Sequence, residues 1–150
     1  MATIRCVFMG ESSVGKSTIL YLMSKKTHRV VPTIGVDNIL FGYKRIQFQC
    51  WDTSGSPQFG SVVDLFEQKT LNKVYVYDTS RPTTFRPDKA QDGMIIANIR
   101  DNHPPLNETH VAVDICRPET IQGLLDLMTT TFRIEEPTFS NGQRECCTCF

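Results

Sequence analysis

Residues 10–18 read GESSVGKST, which fits the pattern G-x-x-x-x-G-K-[ST]. Two glycines let the backbone curl so that its N–H groups point inward at an anion. Lys16 adds a positive charge, and Ser17 offers a hydroxyl to a divalent cation at the start of a helix whose positive dipole end faces the same anion. The stretch therefore predicts a cradle for a phosphate chain, formed by Ser12, Ser13, Val14, Gly15, Lys16, Ser17 and Thr18.

The sequence around this loop predicts alternating strands and helices. An apolar strand over residues 4–9 precedes the loop, and a helix from Lys16 to about Ser24 follows it. The remaining periodic segments predict strands at 38–42, 45–51, 74–78, 94–97 and 110–113, with a hairpin turn at Tyr43-Lys44. They also predict a helix over 59–66 and another that begins at Pro118. One face of this last helix carries a stripe of apolar residues: Ile121, Leu124, Leu125, Met128 and Phe132. This order predicts an α/β fold of three layers, in which a mostly parallel sheet has one antiparallel edge hairpin.

Composition narrows the function classes. The 150 residues contain 16 Lys and Arg against 16 Asp and Glu, so no basic excess points to a nucleic-acid partner. No apolar run reaches 18 residues and no secretory signal is visible, which predicts a cytoplasmic protein. We expect one domain over residues 1–136 and a flexible polar tail over 137–150. Cys6, Cys50 and Cys116 lie in apolar runs and are predicted to be buried thiols.

Several polar residues follow predicted strands directly. The loop at residues 10–18, Asp52, Asn98 and Asp114 each come at a strand's carboxyl end. Because ligands bind at the carboxyl ends of the strands in parallel α/β sheets, these residues should gather at one edge and form one site.

Residues 3–133 resemble a small GTPase of the Ras superfamily. The loop at 10–17 resembles the Rab form of the P-loop, and Thr33–Asp37 resembles the Rab switch I. The short hairpin between Thr33 and Asp52 is similar instead to the Arf branch; the cysteine-rich tail favours Rab.

This resemblance implies roles around the phosphates. Gly15 and Lys16 would hold the β- and γ-phosphates, while Ser17 and Thr33 would ligate Mg²⁺ and Asp52 would hold it through water. Gly55 would donate its N–H to the γ-phosphate. Loss of that phosphate would then release both switch loops.

The base end resembles the family less closely. Residues 98–101 read NIRD where the family has N-K-x-D, and Asp101 would accept hydrogen bonds from guanine alongside Asn98. The N–H of Ile115 would meet the guanine O6, although Asp114 is an unusual residue beside it. Ile99 replaces the family's lysine, so we expect the ammonium contact back to the P-loop to be lost.

Two further departures concern hydrolysis and size. Ser56 stands where the family has the glutamine that orients the attacking water, and Gln58 comes two places late and is expected to point elsewhere. Intrinsic GTP hydrolysis should therefore be slow. Segments 79–93 and 102–110 each replace a full helix of the family, which predicts a reduced domain whose uncovered sheet face is shielded by loops, by oligomerisation or by a partner.

The chain ends in Cys146, Cys147 and Cys149, a cluster suited to prenylation and hence to peripheral attachment at the cytosolic face of membranes. A palmitoylated cluster, an incomplete metal site and an unmodified tail are the alternatives.

The favoured function is a Rab-like GTP/GDP switch in vesicle traffic, with Mg²⁺ as its cofactor and with effectors and an exchange factor reading Thr33–Asp37 and Pro57–Phe66. The alternative is a pseudo-GTPase that sequesters the regulators or effectors of other GTPases. An ATP-using P-loop enzyme is disfavoured by Asp101.

Overall fold

The structure is a computed structural model that describes residues 1–26 and 33–136. It contains six strands and three α-helices in these ranges: β1 Thr3–Met9, α1 Lys16–Ser24, β2 Val36–Tyr43, β3 Ile46–Thr53, α2 Gly60–Lys69, β4 Asn72–Asp78, β5 Met94–Asn98, β6 Val111–Val113 and α3 Pro118–Thr131. The predicted tail at 137–150, with Cys146, Cys147 and Cys149, lies outside the described residues. Among the described residues no helix is long and apolar enough to cross a membrane.

The strands form one sheet in the order β2-β3-β1-β4-β5-β6. Every neighbouring pair is parallel except β2 and β3, which are antiparallel. The predicted fold is therefore confirmed. The hairpin turn lies one residue later than predicted, at Lys44 and Arg45, which have φ values of 46° and 63°. A two-residue turn with φ positive at both positions matches the right-handed twist of the flanking strands.

One face of the sheet is covered by α1 and α3. Four residues of α3, Ile121, Leu124, Leu125 and Met128, are buried against β-strand residues such as Phe8 and Val74. These four are the predicted helical stripe, whose fifth member, Phe132, packs partly buried at the helix end. This face holds the larger core of the molecule.

The other face is covered by α2 and by the two segments that replace helices. Segment 79–93 contains only a short 3₁₀ turn at Pro82–Thr84, so the predicted loss of a helix is confirmed there. Phe85 from this segment packs on Tyr77 and on His110, with ring centroids 5.1 Å apart in both cases. Ala90 from the same segment is buried with them. Of the three kinds of cover left open by the sequence, the loops therefore provide one.

The cysteine predictions hold at two positions out of three. Cys6 and Cys50 are buried on neighbouring strands, with their Sγ atoms 3.2 Å apart. Burial raises the pKa of the Cys6 thiol well above its usual value. Cys116 is exposed, because β6 ends at Val113 and Cys116 lies in the loop that leads into α3.

Candidate nucleotide site

The loop between β1 and α1 has the geometry of an anion cradle. Gly15, with φ of 101°, is the N-cap of α1, so the helix presents its first N–H groups at the loop. A Cβ at Gly15 would lie 2.4 Å from Nδ2 of Asn98, so only glycine fits here. Ser13 also has a positive φ, of 63°, although it carries a side chain. The loop thus adopts the conformation that the motif predicts, with one residue, Ser13, in a strained backbone conformation.

Lys16 is folded back over this loop. Its Nζ donates to the carbonyl oxygens of Gly10 and Glu11, at 2.9 and 2.7 Å. Burial lowers the pKa of Lys16 to about 8, against the opposing attraction of Asp52. An ammonium has three donors, so one N–H has no partner among the described residues. An anion in the cavity would supply that partner and raise the pKa of Lys16.

Ser17, Thr33 and Asp52 meet beside the lysine. Oγ1 of Thr33 lies 3.0 Å from Oγ of Ser17 and 3.1 Å from Oδ2 of Asp52, and Ser17 also donates to Oδ2. Asp52 is 1% exposed, and its Oδ1 is buried without a hydrogen-bond partner in the described structure. Burial raises the pKa of Asp52, although these hydroxyls oppose the shift. Three oxygen ligands and an orphaned carboxylate oxygen fit a hard divalent cation such as Mg²⁺.

The segment after β3 closes this end of the site. The N–H of Ser54 donates to the carbonyl of Gly35 at 2.8 Å, which joins the segment of Thr33 to that of Gly55. A Cβ at Gly55 would lie 2.2 Å from the backbone nitrogen of Ser12, so its missing side chain allows a direct approach to the loop. Ser56 follows, and its N–H donates to Oγ of Ser54 at 3.2 Å.

A cavity of about 680 Å³ opens over these groups, within the range of small-molecule sites. Its lining includes Thr33, Ile34, Gly55, Ser56, Gln58, Arg100 and the residues Ser12, Ser13, Gly15, Lys16, Ser17 and Thr18 of the loop. The expectation that Gln58 points elsewhere is not met, because a 3₁₀ turn at Pro57–Phe59 places it at this cavity. A second cavity, of about 660 Å³, lies at the amino ends of β4, β5 and β6, the wrong edge for a ligand in such a sheet.

The predicted base-reading residues lie on the β5 and β6 side. Asn98 is fully buried and its Nδ2 donates to the carbonyl of Val14 at 2.8 Å, which fixes the loop. Asp101 is exposed with φ of 51°, and Ile115 packs partly buried against the core under α1 and α3. Asp114 accepts a hydrogen bond from the N–H of Cys116 at 3.0 Å, so its carboxylate stabilises the turn in which it lies. None of these four lines the cavity.

A basic contact to the loop comes from Arg100, next to the position where the lysine contact is expected to be lost. Arg100 reaches the carbonyl of Ser13 at 3.4 Å and pairs with Asp78 at 3.1 Å. Arg81 donates to the same carbonyl at 2.8 Å. Sequence analysis missed these residues, yet a signal was present: Asp78 and Asn98 end neighbouring strands, so basic residues just after both strands converge on one carboxylate.

Comparisons with known proteins agree with this geometry. The Ras family model matches residues 5–105, more than half of the chain. Ras-related protein RABA6b of Arabidopsis thaliana is 36% identical over 55% of this chain and 38% of its own length. Ras-related protein Rab-7B of Dictyostelium discoideum is 34% identical over 95% of this chain and 82% of its own. The chain thus spans well under half of the first relative and most of the second.

The chain belongs to the Ras family. Its sequence and its reduced α/β fold mark it as a Rab-like member of the Ras superfamily.

Proposed function

We propose that this protein is a guanine-nucleotide switch of the Rab type that acts in membrane traffic. The observation that carries the proposal is the cluster of Ser17, Thr33 and Asp52 beside Lys16. The cluster joins the phosphate loop to the switch segment of Thr33. A change of nucleotide can therefore be transmitted to the surface.

Ser17, Thr33 and Asp52 would hold Mg²⁺, directly or through water. When bound, the ion neutralises charge on the β- and γ-phosphate oxygens. Lys16 supplies its unpartnered N–H to the same oxygens, and the N–H of Gly55 is suited to bind the γ-phosphate because its close approach to Ser12 brings it beside the loop. Thr33 would sense that phosphate through the ion, which it would hold together with Ser17 and Asp52.

Hydrolysis should be slow in the isolated protein. Ser56 occupies the position of the water-orienting glutamine and is too short to reach an attacking water from there. Gln58 lines the cavity but lies on a turn whose backbone Pro57 restricts. We therefore expect the cleavage of bound GTP to be much slower than the binding of GTP.

Partners would read the two segments around Thr33–Asp37 and Pro57–Phe66. Both contribute exposed apolar side chains: Ile34 is 79% exposed and Leu65 is 54% exposed. No residue of α2 is buried, so this helix is held more loosely than α1 or α3 and can respond to the nucleotide. An exchange factor and effectors are the expected partners, as for switches of this type.

Membrane attachment would come from lipid on Cys146, Cys147 or Cys149, outside the described residues. Mass spectrometry of the C-terminal peptide from cells tests this part alone. A prenyl mass on Cys147 or on a cysteine pair supports it, and an unmodified peptide contradicts it.

The alternative is a pseudo-GTPase that binds nucleotide constitutively and sequesters GTPase regulators or effectors. Ser56 and the replaced lysine at Ile99 favour it. Single-turnover hydrolysis of GTP with Mg²⁺, followed together with the fluorescence of Trp51, separates the two functions. Trp51 is the chain's one tryptophan and packs on Phe66 of α2 at 4.9 Å, so its signal reports the switch segment.

A switch cleaves GTP and its Trp51 fluorescence differs between the GTP- and GDP-bound forms. A pseudo-GTPase shows the same fluorescence with either nucleotide and cleaves none. No binding of either nucleotide contradicts both functions.

A further inference from the structure

We propose that Arg100 forms a stacking surface for the purine base of the bound nucleotide and replaces the lysine that is absent at Ile99. This inference rests on the proposed function, because it concerns the ligand of the same cavity. It assigns a base-binding contribution to the residue at the variable position of the pattern in residues 98–101.

The first observation is the carboxylate that holds Arg100. Asp78 ends β4 and is 1% exposed. It accepts hydrogen bonds from the N–H and Oγ of Ser80, from Nε of Arg81 and from Nη1 of Arg100, at distances of 2.6 to 3.1 Å. A buried carboxylate with four donors is a rigid anchor, so the position of the Arg100 guanidinium is fixed before any ligand arrives.

The second observation is where this guanidinium lies. Arg100 lines the cavity, reaches the carbonyl of Ser13 and lies beside Gly15, where a Cβ would come within 3.2 Å of Nη2. Its hydrogen bonds use N–H groups in the plane of the guanidinium. The side chain remains 37% exposed, so the flat faces are not consumed by these bonds. A planar cation with free faces stacks on aromatic rings.

The third observation is the order of the strands. Asp52 is on β3 and Arg100 follows β5, with β1 and β4 between them. Three strand spacings amount to roughly 14 Å. Phosphates at Lys16 and beside Asp52 therefore leave the base of the same nucleotide on the β5 side, next to Arg100. Asp78 holds the guanidinium of Arg100 by a hydrogen bond in the plane of the group, which suits Arg100 to present a flat face to a base on this side.

Stacking does not depend on which purine is present, since both purines offer a π-face. The ligand class is therefore a purine nucleoside di- or triphosphate. Arg100 contributes affinity, and the choice of guanine is left to Asp101.

The test compares ligands with and without a base. Affinities for GDP, for ADP and for inorganic pyrophosphate are measured with Mg²⁺ by titration calorimetry. The proteins are the wild-type chain, Arg100→Ala, Arg100→Lys and the control Arg133→Ala, whose exposed side chain lies at the far cavity. Thermal unfolding confirms that each variant is folded, and Arg100→Lys keeps the positive charge if the alanine variant does not fold.

We expect Arg100→Ala to weaken GDP about tenfold or more, to weaken ADP by the same factor where ADP binding is measurable, and to leave pyrophosphate unchanged. Arg100→Lys should lose most of the base-dependent affinity, because an ammonium does not stack, and Arg133→Ala should match the wild type. Equal losses for pyrophosphate and GDP would mean that Arg100 only supports Ser13, which overturns the inference. Unchanged GDP affinity in Arg100→Ala overturns it too. Failure of the wild type to bind both GDP and pyrophosphate instead contradicts the proposed function.

Discussion

The phosphate end and the base end of the cavity are built from different kinds of contact. At the phosphate end, Lys16 bonds carbonyls five and six residues away in its own loop. At the base end, Arg100 is held by Asp78, which is 22 residues away on the neighbouring strand. A local motif carries its geometry within its own sequence, whereas a contact between strands exists only once the sheet has formed. The first end therefore keeps the family pattern, and the second reaches a similar contact with different residues.

The largest effect should come from Lys16→Ala. The variant removes the one buried cation in the cradle, so GDP affinity should fall about 100-fold or more. Titration calorimetry measures the loss, with Lys89→Ala, an exposed lysine in the loop before β5, as the control. A loss below threefold would show that the phosphate end does not make the dominant contribution to GDP affinity.

Asp52→Asn should have the next largest effect, on the dependence of binding on Mg²⁺. The amide keeps the shape but weakens the cation site, which we expect to reduce the gain in GDP affinity on adding Mg²⁺ about 10- to 100-fold. The free energy of unfolding should change little, because relief of the buried negative charge is opposed by the lost attraction to Lys16. An undiminished Mg²⁺ effect would show that Asp52 does not serve the ion.

Ser56→Gln should speed single-turnover GTP hydrolysis about tenfold, since a glutamine at this position can reach an attacking water. GDP affinity should stay the same, because Ser56 makes no contact with the loop at 10–18 among the described hydrogen bonds. Ser56→Ala is the matched control and should leave the rate near that of the wild type. An unchanged rate in Ser56→Gln would place the block to hydrolysis elsewhere in the site.

Ser13→Gly tests the one strained residue of the cradle, whose carbonyl accepts hydrogen bonds from Arg81 and Arg100. Relief of the φ of 63° is opposed by the greater freedom of glycine in the unfolded chain, so the free energy of unfolding should change by less than about 1 kcal/mol. Ser12→Gly relieves no backbone strain, because Ser12 has no positive φ, and it only increases the freedom of the unfolded chain. Urea unfolding of both variants gives the order, and a Ser13→Gly variant less stable than Ser12→Gly would contradict it.

The smallest effect concerns pH and the segment just before β6, at the far cavity. The N–H of Leu106 donates to Oη of Tyr77, and this oxygen lies 2.8 Å from Nδ1 of His110. Burial lowers the pKa of His110 below 6.5. The unfolded chain then binds a proton that the folded protein resists, so stability should fall as the pH drops below about 6.5.

The matched variant for this effect is His110→Asn, which retains an acceptor but does not titrate. Urea unfolding at pH 7.5 and 5.5 should show a smaller loss in His110→Asn than in the wild type. Equal losses would assign the pH dependence to other groups, among them the charged Lys73, Asp92 and Arg133 that share a cavity with His110.

Most of the fold could be predicted from the sequence because its signals are local. The glycine-rich loop, the stripe of α3 and the alternation in β3 each specify one element, and the alternation of strands and helices along the chain predicts the fold class. The residues of the cradle could be proposed for the same reason. Arg100 and Asp78 were missed because the pairing depends on the register of β4 with β5, which no short pattern contains. Exposure of Cys116 was missed because an apolar run continued past the end of its strand.

The most direct test is to identify the nucleotide that remains on the purified protein. We expect guanine nucleotide, close to one per chain, which is released on removal of Mg²⁺ and is absent from Lys16→Ala. A wild-type protein that carries no nucleotide, and takes up none from millimolar GDP with Mg²⁺, would contradict this expectation.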